Sequence, residues 1–249
     1  MIDRIALVTD FGAGGPYVGQ MKLRLSGLLP GIPVVDLICD LAQFRADLSA
    51  YLLPGLARDM PSGTLYLCVV DPGVGSERAV LAVEAGGNWY LGPDNGLLAL
   101  VTRRARDAQV LRVDWRPKQL SASFHGRDLF CPLAAKLVES GLPESVVLEG
   151  QAMQGWGWLD DLPKVIYVDR YGNLITGIRA SNLGKEACLY VGGWEIANAR
   201  TFCEVPHGQA FWYEDCFGLV ELAVNQGNAH LALGLVPGDR IGFSPPLST

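Results

Sequence analysis

Over the first half of the chain, short unbroken apolar runs alternate with stretches of helical spacing. Residues 5–9 form an apolar run closed by Asp10, and a glycine-rich turn at 12–15 separates it from a helical pattern over 17–29. Residues 34–38 read as a second strand, and 46–60 have helical spacing that Pro61 and Gly63 end. The run 65–70 is apolar at every position and again ends in an aspartate, Asp71. Residues 79–85 and 89–91 read as a strand pair joined by Gly86-Gly87. Segments 97–106 and 129–140 carry helical patterns. Strands alternating with helices predict an α/β domain with a largely parallel sheet.

The pattern changes after about residue 150. Residues 151–162, with Trp156 and Trp158 among glycines, read as a connection. Beyond it, 165–168, 174–178, 188–191, 211–213, 219–224 and 230–233 are short and separated by turn residues. That spacing predicts a small all-β unit, a barrel. The expected organisation is an α/β domain over residues 1–155 and a smaller all-β barrel domain over 156–249, the second completing the ligand site of the first.

Composition narrows the picture. The chain has 249 residues, 49% hydrophobic and 18% charged, which is the make-up of a folded protein. The net charge of −6 and the absence of a basic cluster beyond Arg103, Arg104 and Arg106 argue against nucleic-acid binding. No apolar run reaches the roughly 18 residues that span a bilayer. Residues 1–10 lack the pattern of a signal peptide. The six cysteines are scattered with no CxxC, and read as buried, reduced thiols of a cytoplasmic protein. No clustered Cys and His suggest a metal.

The candidate chemistry sits at the ends of the apolar runs. Asp10, in Thr9-Asp10-Phe11-Gly12, is placed to accept from both hydroxyls of a ribose or to form a turn. The glycines after it do not form a dinucleotide fingerprint, since Tyr17 stands where the third glycine would be. Asp71 opens the loop Asp71-Pro72-Gly73-Val74-Gly75, and Arg78 lies close enough in sequence to pair with it, as a site or as a loop-closing ion pair. Asp94 and Asn95 precede a helix and read as caps. Of three histidines, His125 stands beside Gly126 at a helix entrance, with Asp128 as the expected N-cap. His207 and His230 read as surface or structural residues. Asp169-Arg170-Tyr171-Gly172-Asn173 can be a ligand-holding cluster or simply a hairpin turn.

These five segments occur in the order seen in the S-adenosyl-L-methionine (SAM) hydroxide adenosyltransferases, and the chain resembles that family along essentially its whole length. The family comprises adenosine-forming SAM hydrolases related to fluorinase and chlorinase. The resemblance implies an N-terminal α/β domain, a C-terminal β-barrel and a homotrimer. It implies hydrolysis of SAM, as substrate and with no cofactor or metal, to adenosine and L-methionine. The water-holding set would be Asp71, Arg78 and His125, which the related halogenases lack. Asp10 would hold the ribose, Asp169 the methionine ammonium, Tyr171 a face of the ligand and Asn173 the adenine. Asn225 stands near where the family carries a Ser on the methionine carboxylate. Cys39-Asp40 stands where the family has Ser-His. A halide-using adenosyltransferase and a non-catalytic adenosine or SAM binding protein are the alternatives.

On this reading the sulfonium is already a good leaving group, and the difficulty lies in the water. It must lie in line with the C5′–S bond and lose a proton as it attacks. Either Asp71 or His125 could take that proton, with Arg78 stabilising developing hydroxide character.

Overall fold

The computed structural model describes residues 1–244 and divides into two compact units. One comprises Met1–Leu53 and Asp59–Trp158; the other comprises Pro54–Arg58 and the chain from Leu159 onward.

In the first unit β1 (Arg4–Thr9), α1 (Pro16–Leu28), β2 (Val34–Ile38), α2 (Ala46–Leu56, whose end from Pro54 counts with the second unit), β3 (Thr64–Val69), β4 (Val80–Ala85), β5 (Asn88–Pro93), α3 (Ala99–Arg104), β6 (Gln109–Val113), α4 (Cys131–Ser140) and β7 (Ser145–Leu148) follow in order. Their strands form one sheet, β2-β1-β3-β5-β4-β6-β7. β2, β1, β3 and β5 are parallel, whereas β4, β6 and β7 add by antiparallel pairing. The sheet is thus mixed rather than largely parallel. The cause is local: Gly86 and Gly87 have φ of 58° and 72°, the left-handed conformation that a two-residue hairpin requires, so the chain returns at once.

β1 and β3 lie inside the sheet and are buried on both faces from Ile5 to Thr9 and from Thr64 to Val69. That is why their sequences are unbroken apolar runs instead of alternating ones. Ile5, Leu7, Leu65 and Leu67 pack in one core with Met21 and Leu25 of α1 and Leu133 and Leu137 of α4. The alternate residues of β3 point the other way, where Tyr66 stacks on Tyr90 with centroids 4.8 Å apart. Pro54 lies inside α2, which stops at Leu56, short of the expected end.

The entrance to α4 differs from expectation. A single π turn, Gly126–Phe130, leads straight into it, and Asp128 is not its N-cap. Asp128 instead accepts two bonds from its neighbour Arg127, at 2.7 and 2.8 Å. A backbone that is already helical leaves no cap for it to make.

The second unit holds β8 (Leu162–Val168), β9 (Leu174–Arg179), β10 (Cys188–Val191), β11 (Trp194–Ile196), β12 (Ala210–Glu214), β13 (Leu219–Val224), α5 (Ala229–Leu233) and β14 (Gly242–Ser244). Two antiparallel sheets, β12-β13-β9-β8 and β11-β10-β14, are stitched at both margins. At one, Val165 N–H donates to the Asp239 carbonyl (2.9 Å) and Gly238 N–H to the Val165 carbonyl (2.8 Å). At the other, Ala199 N–H donates to the Trp212 carbonyl and Trp212 N–H to the Ala197 carbonyl, both at 3.0 Å. The strands therefore close into a small barrel through irregular segments, around a core that includes Leu174, Leu189, Trp212 and Leu222.

Residues 230–233, expected as a strand, are helical. Asn228 caps α5 by accepting from Leu231 N–H at 2.9 Å, and Gly234 at φ 68° ends it. Among the described residues no helix is long and apolar enough to cross a membrane. All six cysteines are free thiols, but only Cys68 and Cys131 are buried; Cys203 and Cys216, which lie outside the strands, are exposed, contrary to expectation.

Candidate active site

Thr9 pairs with Val69 across the parallel strands β1 and β3. Asp10 and Asp71 therefore leave neighbouring strands at the same C-terminal edge, where sheets of this kind take ligands. Asp10 is buried and accepts from Phe44 N–H at 2.9 Å. Burial pushes its carboxyl pKa up, as does the charge of Asp71, against the opposing pull of the Phe44 bond.

The Asp71 loop folds back through two tight turns, Val74 N–H to the Asp71 carbonyl (3.2 Å) and Ser76 N–H to the Gly73 carbonyl (3.0 Å). Gly75 is required there. Its φ is 83°, and a Cβ would meet the Ala122 carbonyl oxygen at 2.7 Å. The turns bring Arg78 onto Asp71. Arg78 Nε donates to Asp71 Oδ1 at 2.6 Å, and Nη2 donates to Oδ2. Both side chains are buried, 8% and 5% exposed, so this is a bidentate pair away from bulk water. The Arg78 guanidinium also lies over the Phe130 ring, 5.8 Å from its centroid.

Arg78 Nη2 makes a second contact, 3.1 Å from His125 Nδ1. His125 is 6% exposed, and burial lowers its pKa, aided by the Arg78 charge and opposed by that of Asp71. A guanidinium nitrogen can only donate, so Nδ1 must be the acceptor. Neutral His125 then carries its proton on Nε2.

Asp71 and His125 line a cavity of about 140 Å³ with Phe11, Tyr17 and Phe124. Those three rings pack on one another, with centroids 5.6, 5.9 and 5.2 Å apart. Gly126 fits among them, where a Cβ would meet Met21 Sδ at 3.0 Å and Phe124 at 3.3 Å. A larger cleft of about 680 Å³ beside Trp115 and Lys136 is lined by Asp128 but by none of Asp10, Asp71, Arg78 and His125. Asn95, read from sequence as a cap, accepts from Leu97 N–H at 3.2 Å and also donates to the Val70 carbonyl at 2.8 Å, bracing the residue before Asp71. Asp94 accepts from Gln154 N–H at 2.9 Å.

In the second unit the 169–173 segment is a hairpin turn built around Asp169. Its Oδ1 accepts from Tyr171 N–H and Asn173 N–H, each at 2.8 Å, and Oδ2 accepts from Asn173 Nδ2 at 3.0 Å. Tyr171 projects outward, 79% exposed, while Asn173 is buried. In the same unit Glu221, a buried residue of β13, accepts from Tyr213 OH at 2.6 Å. Sequence reasoning passes over Glu221, although a carboxylate inside the apolar run 219–224 is a signal. Asn225 is not brought into this group. It lies past the end of β13, where Nδ2 donates to the Val205 carbonyl at 2.7 Å and the backbone pairs with Gln209 and Gly208. His230 bonds through Nδ1 to the Leu235 carbonyl at the end of α5. Among the described residues no group of three or more His, Cys, Asp or Glu side chains is placed to hold a metal ion.

A mixed α/β unit with an arginine-centred polar cluster at its strand edge, followed by a small antiparallel barrel, is the architecture these elements define. The sequence profile of the SAM hydroxide adenosyltransferase N-terminal domain matches residues 5–147, and that of the C-terminal domain matches residues 163–242. The chain belongs to the SAM hydroxide adenosyltransferase family, whose members are enzymes. It is 39% identical over 253 residues to the (R)-S-adenosyl-L-methionine hydrolase of Thermus thermophilus, spanning 94% of this chain and 96% of that one. The protein of the same name from Salinispora arenicola is 33% identical, over 95% and 96% of the two chains. A fluorinase from Actinoplanes is a more distant relative, 23% identical over 56% of this chain and 55% of its own. Among solved structures, an uncharacterized conserved protein from Thermotoga maritima superposes with a TM-score of 0.85 at 28% identity, covering 96% of this chain and 99% of that chain.

Proposed function

We propose that the protein hydrolyses S-adenosyl-L-methionine to adenosine and L-methionine by in-line attack of water at C5′. The observation that carries this reading is Arg78 joined at once to Asp71 and His125 on the wall of a small cavity. The hydrolase names of the relatives in Thermus, Salinispora and Methanocaldococcus support it. Their name carries an (R) descriptor while the amino acid is L, so the descriptor refers to the sulfonium centre. The (R)-epimer is the substrate form we propose.

Asp71 and His125 take different parts. His125 Nδ1 is occupied by Arg78, so the ring offers Nε2–H as a donor to the water. The acceptor for the water's proton is then Asp71, whose oxygens keep lone pairs beyond those that Arg78 engages. Arg78 holds both partners and stabilises negative charge as it develops on the attacking oxygen. The sulfonium leaves as a neutral thioether, so the leaving group needs no acid and no metal. Asp10 holds the ribose hydroxyls, Asn173 the adenine, Tyr171 a face of the ligand and Asp169 the methionine ammonium. Asn225 spends one N–H of its amide on the Val205 carbonyl and keeps the second for the methionine carboxylate. A homotrimer in the cytoplasm, acting without metal or cofactor, completes the proposal.

The test is adenosine and methionine release from each sulfonium epimer by the wild type, Arg78→Ala and His125→Ala. Both variants are expected to lose most turnover. Full turnover in both overturns the residue assignment. Ligand retained without methionine formation indicates a binding protein, and a 5′-halo-adenosine formed with chloride or fluoride indicates a halogenase.

A further inference from the structure

We infer that the large cleft beside Trp115 is a binding site for a small anion carrying two or more phosphate groups, and that its occupant weakens substrate binding through Arg127 and Phe124. The binding site stands on the structure of the cleft alone. Its effect on the substrate rests on the function proposed above.

The cleft holds about 680 Å³ and lies within the first unit. Arg24 and Leu28 stand four residues apart on α1, while Pro132, Ala135, Lys136 and Glu139 recur at helical spacing on α4. That spacing turns one face of each helix to the cleft. Its floor is apolar, since Leu28 and Trp115 pack against the core of this unit. Its charge runs against that of the chain. The protein carries −6, yet the cleft presents Arg24, Lys118, Arg127 and Lys136 against Asp128 and Glu139. Arg127 and Asp128 satisfy each other through two bonds, at 2.7 and 2.8 Å. Lys136 Nζ lies over the Trp115 ring, 5.2 Å from its centroid, and meets no carboxylate there. Among the described residues, Arg24 and Lys118 form no ion pair either. Three cations therefore face the single carboxylate of Glu139. An anion that spreads several charges over linked groups answers all three, as an oligophosphate does. A lone carboxylate would engage one cation and leave the others in mutual repulsion.

The cleft and the small chamber share a wall. Arg127 lines the cleft, and its guanidinium lies over the ring of Phe124, 5.0 Å from the centroid. Phe124 in turn lines the chamber with Asp71 and His125. Arg127 is held in place by Asp128 and by Gln20, whose Oε1 accepts from Nη1 at 2.6 Å. An anion gathered by Arg24, Lys118 and Lys136 competes with Asp128 for that guanidinium and repels the Asp128 carboxylate. Both residues belong to the π turn that follows directly on His125. Turns of this kind are rare and concentrate at functional sites. Displacing Arg127 therefore disturbs Phe124 and His125 with no contact between the anion and the substrate.

The experiment is calorimetric titration of the wild type and of a triple variant, Arg24→Glu with Lys118→Glu and Lys136→Glu, at fixed ionic strength in magnesium-free buffer. The probes are inorganic tripolyphosphate and ATP, with sulfate and tetraglutamate as controls. Tripolyphosphate should bind the wild type about tenfold more tightly than either control, and the triple variant about 10²-fold more weakly than the wild type. ATP binding more tightly than tripolyphosphate marks a nucleotide as the occupant; equal or weaker binding marks a free oligophosphate. Saturating tripolyphosphate should raise the wild-type KM for S-adenosylmethionine about fivefold and leave that of the triple variant unmoved. Without anion the two proteins should turn over alike. If thermal melting shows that the triple variant does not fold, the single variant Lys118→Glu decides. Sulfate or tetraglutamate binding as tightly as tripolyphosphate, or the variant binding as tightly as the wild type, overturns the site. Selective binding with an unchanged KM overturns the link to the chamber. A wild type that never cleaves S-adenosylmethionine defeats the proposed function, and the titration still decides the site.

Discussion

Arg78 Nη2 lies 3.1 Å from His125 Nδ1, and the contact fixes the histidine as an acceptor at that nitrogen. Neutral His125 is therefore the Nε2–H tautomer. Burial, then the Arg78 charge, holds its pKa below the ordinary imidazole value. Nitrogen-15 NMR of the ring should report the Nε2–H form and a midpoint below about 6.5. In Arg78→Leu the midpoint should rise, since a cation that opposes protonation is gone. Turnover should be steady above the wild-type midpoint and fall as pH drops through it. An Nδ1–H resonance in the wild type would refute the donor role.

Arg78→Lys keeps the charge and loses the fork. An ammonium cannot hold two carboxylate oxygens and an imidazole in the guanidinium's fixed plane. We expect kcat to fall about 10²-fold, within the range a positioned proton-transfer group supplies, with little change in KM. Single-turnover adenosine release measures it. A variant as fast as wild type would show that charge alone suffices.

Gly75→Ala should damage the site without touching a polar group. The new methyl would meet the Ala122 carbonyl oxygen at 2.7 Å, on a residue whose φ is 83°. Strain of this sort costs about 1–3 kcal/mol. The melting temperature should drop and turnover with it, because the loop carries Asp71. Unchanged melting and activity would mean that the loop moves freely away from Ala122.

Glu221 makes stability depend on pH. Its pKa rises from 4.5 to about 7 on folding. A raised carboxyl pKa stabilises the folded state fully below the unfolded value and is lost as pH climbs through the folded one. At 1.36 kcal/mol per unit the contribution is on the order of 3 kcal/mol. The wild type should therefore lose thermal stability relative to Glu221→Gln between pH 5 and pH 8. Parallel curves for the two proteins would contradict it.

What the sequence displayed depended on how many residues each feature needs. β1, β3 and the Gly86-Gly87 hairpin were legible because burial on both faces leaves continuous apolar runs and the turn demands glycine. β6 and β7, each partly exposed at the sheet margin, have too little contrast to stand out. Five apolar-rich residues at 229–233 fit strand or helix equally, and only the Asn228 cap decides. The π turn at Gly126–Phe130 has no spacing signature at all. In the candidate site, Asp71 and Arg78 could be paired from sequence because one short loop joins them. His125 is 47 positions beyond Arg78, and only its motif pointed there. Glu221 and Tyr213 were missed because their partnership exists only through strand register.

Gly75 seated against the Ala122 carbonyl, with Asn95 holding Val70, fastens the Asp71 loop from two directions. The segment bearing His125 begins just after Ala122, so the two walls of the small chamber are braced against each other by main chain. On the proposed function, the size of nucleophile follows from how this loop is folded, and a change of nucleophile would call for rebuilding the loop rather than for exchanging one side chain within it.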